Sequence, residues 1–73
     1  MAKSTVLLKF GERVREERTK RGLSQEQLAE LAGVHRTYIG MIERAEKNIT
    51  LESIVKVAKA LDLPPHSLLC FDS

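Results

Sequence analysis

Apolar residues recur along this chain at spacings of three and four, and nowhere do they alternate with polar ones long enough to argue a strand. The pattern predicts an all-α domain of five helices. The first covers roughly residues 6 to 21, with Leu7, Phe10 and Val14 on one face and Gly22 closing it in a left-handed cap. Ser24, with Gln27 three positions on, reads as a capping box that starts the second helix at Gln25. In that helix Leu28, Leu31 and Ala32 point inward, Glu26 and Glu30 outward, and Gly33 permits the sharp turn that follows. The third helix begins after His35 and reaches Arg44 to Glu46, and Lys47-Asn48-Ile49 forms the next loop. Thr50 caps a fourth helix with Glu52 in its first turn. Its core stripe is Leu51, Ile54, Val55, Ala58 and Leu61, and Val57 widens the apolar arc beyond what one contact surface needs. Pro64 and Pro65 end it, and Pro65 opens a short last helix carrying Leu68 and Leu69. The glycines and prolines act as punctuation.

The third helix carries the candidate chemistry. Steps of about 100° put Tyr38, Ile39 and Ile42 on one side and Arg36, Thr37, Gly40, Met41 and Arg44 on the other. A glycine on an exposed helix face costs about 1 kcal/mol relative to alanine, and close approach of the backbone to another surface accounts for it. The guanidinium forks, hydroxyl and thioether around Gly40 suit base edges, phosphates and thymine methyls. Without the helix and turn before it, a solvated face that happens to hold two arginines would be an equally good reading.

Composition narrows the field. The 73 residues, 42% hydrophobic and 30% charged, fit one globular domain spanning 1–73, near the smallest size at which a lone core folds without a metal, a disulfide or a second subunit. Val6-Leu7-Leu8 is too short for a signal-peptide core or a membrane span, so no membrane association and a cytoplasmic location are expected. Cys70 stands alone, favours a reducing compartment and reads as a small buried hydrophobe. His35 and His66 are far apart in the chain, with no nearby cluster of Cys or carboxylates at ligand spacing. No metal, no cofactor and no catalysis are expected, since no nucleophile-base motif or phosphate-cradling glycine loop is present either. A net charge of +2 is only a mild pointer to an anionic partner.

The run Leu23-Ser24-Gln25-Glu26-Gln27-Leu28-Ala29-Glu30-Leu31-Ala32-Gly33-Val34-His35-Arg36-Thr37-Tyr38-Ile39-Gly40-Met41-Ile42-Glu43-Arg44 resembles the helix-turn-helix of the phage Cro and repressor, or Xre-type, family, with the likeness spanning roughly residues 10 to 63. His35-Arg36-Thr37-Tyr38-Ile39, Ile42-Glu43-Arg44 and Asn48-Ile49-Thr50-Leu51 are most similar to controller proteins of restriction-modification systems. The resemblance implies a five-helix, lambda-repressor-like domain with the helix-turn-helix at about 25–44. It implies Arg36, Thr37 and Met41 as base-reading residues, and Gln25, Tyr38, Gly40, Arg44, Lys47 and Asn48 at the DNA backbone. It also implies an ion pair between Arg18 and Glu43. Glu17 departs from the family pattern by replacing an apolar residue of the first helix. Ala45 replaces a glycine, so the third helix is expected to run on towards Glu46, with Asn48 as the left-handed residue.

The function implied is a transcriptional regulator, homodimeric on a palindromic operator of double-stranded DNA, with RNA polymerase as a further partner and its own and an endonuclease promoter as targets. Val57, Leu61, Pro65, Leu68, Leu69 and Phe71 are the candidate dimer surface, the alternative being that they complete the core of a single chain. The competing class is a protein-interaction module of the same fold, such as an antitoxin or a coactivator fragment. The outward Arg36, Thr37 and Arg44 argue against it.

Overall fold

The computed structural model describes residues 4–70, and Phe71 of the expected dimer surface lies outside them. The described chain forms α1 (Thr5–Lys20), α2 (Gln25–Ala32), α3 (Arg36–Glu43), α4 (Leu51–Ala60) and α5 (Pro65–Leu68). Each of the first four begins on a side-chain cap. The acceptors are Ser4, Ser24, His35 and Thr50, which take backbone N–H groups that no helical carbonyl can reach. Each also ends the same way. The residues after the helices, Gly22, Gly33, Ala45 and Asp62, all have positive φ. The amide one position further on reaches back to a carbonyl in the last turn, as from Val34 to Ala29 or Glu46 to Met41.

Ala45 rather than Asn48 is therefore the left-handed residue, at φ 58°, and α3 stops at Glu43 instead of running on to Glu46. The bonds from Ala45 N–H to the Ile42 carbonyl at 3.0 Å and from Glu46 N–H to the Met41 carbonyl at 2.8 Å offset the strain of a methyl-bearing residue in that conformation.

Phe10 and Val14 of α1, Leu28, Ala29 and Ala32 of α2, Ile39 and Ile42 of α3, Ile54, Val57, Ala58 and Leu61 at α4, and Leu68 of α5 make one core. The inward stripe of α4 is rotated from the expected one. Leu51 is 80% exposed and Val55 48%, while Val57 is fully buried, because Ile54, Val57, Ala58 and Leu61 are the set that faces α2 and α5. Leu31, expected inward, is 60% exposed, since α2 turns Ala29 to the core at that level. Val57, Leu61 and Leu68 are fully enclosed within one chain, so they have no surface to offer a second subunit; Pro65 and Leu69 remain exposed. Cys70 is exposed, not buried.

Gly11 is no punctuation mark. It lies inside α1, buried, and a Cβ there would stand 2.5 Å from the Ile42 carbonyl oxygen and 2.9 Å from that of Glu43, so only hydrogen lets α1 and α3 touch backbone to backbone. Two turns along the same helix, Arg18 grips the end of α3. Its Nε and Nη2 donate to the two Glu43 carboxylate oxygens at 2.7 and 3.0 Å, and Nη1 donates to the Leu23 carbonyl at 2.8 Å. Between these contacts Glu17 occupies its unusual apolar position as a buried carboxylate. Arg21 donates to Oε1 at 2.6 Å and Lys20 approaches Oε2 at 3.5 Å, so the charge is neutralised within α1. The Arg21 hydrogen bond, opposed by desolvation and helped by the Lys20 and Arg21 charges, holds the Glu17 carboxyl below its ordinary value.

Three outcomes follow from these contacts. Gly11→Ala should lose about 3 kcal/mol in urea unfolding, the upper end of overpacking, because the obstacle is backbone. Glu43→Ala should cost about 3 kcal/mol by stranding the Arg18 charge, whereas the paired change Arg18→Met with Glu43→Leu should recover most of that loss. Glu17 has a lowered folded-state pKa, so its stabilising contribution is full above the ordinary value of 4.5 and is lost as pH falls through the depressed one. Glu17→Gln should accordingly weaken the fold at pH 7 and flatten the acid limb of a stability-against-pH curve; an unchanged acid limb would contradict the assignment.

Candidate nucleic-acid interface

The site is built by two short helices and the turn between them. Gln27 N–H donates to Ser24 Oγ at 3.0 Å and Ser24 N–H to Gln27 Oε1 at 2.8 Å, the expected reciprocal cap, which fixes where α2 starts. Gly33, at φ 72°, then reverses the chain. His35 starts α3 by accepting the Thr37 N–H on Nδ1 at 3.1 Å. The imidazole thus has a structural task at the head of this helix.

Ile39 and Ile42 are sunk in the core, and they set the rotation of α3. Arg36, Thr37 and Arg44 are exposed as a result, Met41 is half-buried, and Tyr38 is half-buried against the core. Lys47 and Asn48 stand exposed in the loop after α3. Arg36, Thr37 and Arg44 share an open groove with Arg18, Ser24, Gln25, Glu26 and Gly40. Met41, Tyr38, Lys47 and Asn48 are not part of its lining.

Gly40 lies at the groove floor and is buried rather than open. What covers it is side chain and not backbone. A Cβ placed there would meet Arg44 Nη1 at 3.0 Å, Arg44 Nη2 at 3.5 Å and Gln25 Oε1 at 3.5 Å, all ends of side chains. The backbone patch is therefore roofed by a guanidinium and an amide instead of being enclosed by the core.

Glu43 joins the groove to the interior. Besides its two bonds from Arg18, its Oε1 accepts from Gln25 Nε2 at 3.0 Å, so one carboxylate orients residues from α1 and α2 at once. The Glu43 hydrogen bond, opposed by desolvation and aided by the Glu43 charge, raises the Arg18 pKa above its already high ordinary value. Arg18 therefore keeps its charge across the ordinary pH range. Gln25 thus presents its carbonyl oxygen towards Gly40, with part of its donor capacity already used.

Two carboxylates flank the outward arginines. Arg36 Nη1 donates to Glu26 Oε2 at 3.1 Å across the turn, and Arg44 Nε lies 3.1 Å from Glu46 Oε1. Sequence reasoning placed Glu26 outward but assigned it no partner, because periodicity within one helix carries no information about which side chain a neighbouring helix brings opposite. Among the described residues no cluster of three or more His, Cys, Asp or Glu could hold a metal ion, and no helix is long and apolar enough to cross a membrane.

Comparison with known proteins places this geometry. The helix-turn-helix profile HTH_3 matches residues 14–68. The control protein C.SmaI of Serratia marcescens is 53% identical over 82% of this chain and 71% of its own length. Among solved structures, the restriction-modification controller protein C.AhdI from Aeromonas hydrophila superposes with a TM-score of 0.84 at 53% identity, over 85% of this chain and 94% of that one. SinR, the master regulator for biofilm formation, solved in complex with DNA, superposes with a TM-score of 0.79 at 37% identity, over 84% of this chain and 98% of that one. The α2-turn-α3 unit and these likenesses together establish that the chain belongs to the helix-turn-helix family, alongside control proteins of restriction-modification systems and transcriptional regulators.

Proposed function

We propose that this chain is a cytoplasmic, sequence-specific DNA-binding transcriptional regulator, a controller of a restriction-modification system that acts by binding and not by catalysis. The observation that carries it is the rotation of α3. With Ile39 and Ile42 locked inward, Arg36 and Thr37 project from its first turn, the end of a recognition helix that enters the major groove. Arg36 reads a guanine through O6 and N7, and Thr37 and Met41 meet neighbouring base edges. Gln25, Tyr38, Gly40, Arg44, Lys47 and Asn48 face the phosphate backbone. For the amide of Gln25 this means offering its remaining N–H, since the other is bound to Glu43. Arg44 swings from above Gly40 to a phosphate, which uncovers the glycine for close approach of the duplex.

The active form is a homodimer on a palindrome, each subunit reading a half-site about one helical turn from the other. With Val57, Leu61 and Leu68 committed to the core, the exposed apolar residues that support dimerisation are Val55, Pro65 and Leu69. Sites upstream of its own gene and of an endonuclease gene, where the dimer recruits or blocks RNA polymerase, are the expected targets.

Selection from randomised duplexes tests the reading: a recovered palindrome supports it, and no enrichment with no salt-dependent binding favours a protein-interaction module. On the recovered site Arg36→Ala should lose about 1–3 kcal/mol of binding and relax the preference, while Lys47→Ala should weaken selected and random DNA alike and lower the salt slope by about one. An Arg36→Ala protein equally weakened on both duplexes contradicts the base-reading role. Sedimentation at high micromolar concentration should give a dimer, and a monomer alone would refute the assembly.

A further inference from the structure

We propose that Glu26 is the residue that makes Arg36 discriminate, by withholding its charge from phosphates while leaving its hydrogen-bonding fork available to a base. This rests on the DNA-reading function proposed above. Glu26 lies in the first turn of α2, where free backbone amides and the helix dipole attract an anion. The Glu26 Oε2 accepts from Arg36 Nη1 at 3.1 Å, yet both side chains are about two-thirds or more exposed (67% and 73%), so the contact adds little to packing or to the fold.

The two kinds of DNA contact draw on different properties of a guanidinium. A phosphate is attracted chiefly by its positive charge, which a carboxylate at hydrogen-bond distance largely cancels. A guanine edge needs two parallel N–H donors, and a group with five of them can give one to Glu26 and still present the Nε and Nη2 edge. Pairing with Glu26 therefore penalises non-specific binding more than specific binding. The same contact holds the guanidinium across the turn before DNA arrives, limiting the rotamers it must lose. The arrangement around Arg44 and Glu46, also 3.1 Å apart, places a second carboxylate beside the other outward arginine.

The test measures binding of the full chain to the selected duplex and to a random duplex across a salt series, for the wild type, Glu26→Gln, Arg36→Ala and the double variant. Glu26→Gln should raise affinity for random DNA about fivefold, the scale of one exposed charge pair, steepen its salt slope by about one, and change the selected duplex less than twofold. The ratio of the two affinities falls accordingly, with the melting temperature unchanged. In the Arg36→Ala background, Glu26→Gln should leave that ratio untouched. An equal rise on both duplexes with Arg36 in place, or no change on random DNA, overturns the role of Glu26 while leaving the regulator reading intact. A wild type that prefers no duplex overturns the DNA reading and this inference together.

Discussion

The seating of α3 against α1 is the constraint on which everything outward depends. At Gly11 the two helices meet with no side chain between them, and two turns further along α1 the Arg18 guanidinium clasps Glu43. Neither contact fixes α3 alone. The glycine sets how close the helices come, and the ion pair sets where along its length α3 is held, while Ile39 and Ile42 choose which face looks inward. Glu43 then extends the same control to α2 through Gln25. A carboxylate with 4% side-chain exposure thus ties three helices together immediately beneath the exposed groove.

Much of this was legible in the residues. The caps at Ser24 and Thr50, the left-handed glycines at 22 and 33, the proline at the head of α5 and the five-helix order all rest on local chemistry that acts within a few residues. The ion pair between Arg18 and Glu43 came from family resemblance, since nothing local joins positions so far apart. The misplaced residues share a cause. In helices as short as α2 and α4, Leu31, Leu51 and Val55 complete an apolar stripe as well as their neighbours do, and only the positions of the other helices decide which stripe is covered. Gly11 escaped notice because its importance lies in a tertiary contact.

Ala45 shows local preference being overruled. An unstrained chain would place glycine or asparagine in the left-handed position, and Asn48 was the natural candidate. Two back-reaching amide bonds close the end of α3 three residues earlier, and the alanine methyl is buried there at 6% exposure. The groove was legible in part. Arg36, Thr37 and Arg44 stand at the surface as their spacing required, whereas the roof over Gly40 and the carboxylates beside both arginines arise from side-chain reach, which periodicity does not encode.

Because α3 divides its residues so cleanly between those that anchor and those that project, the two sets are free to change at different rates over evolutionary time. Arg36 and Thr37 take no part in the core, so under the base-reading role proposed above substitutions there would alter the sequence bound without unfolding the scaffold.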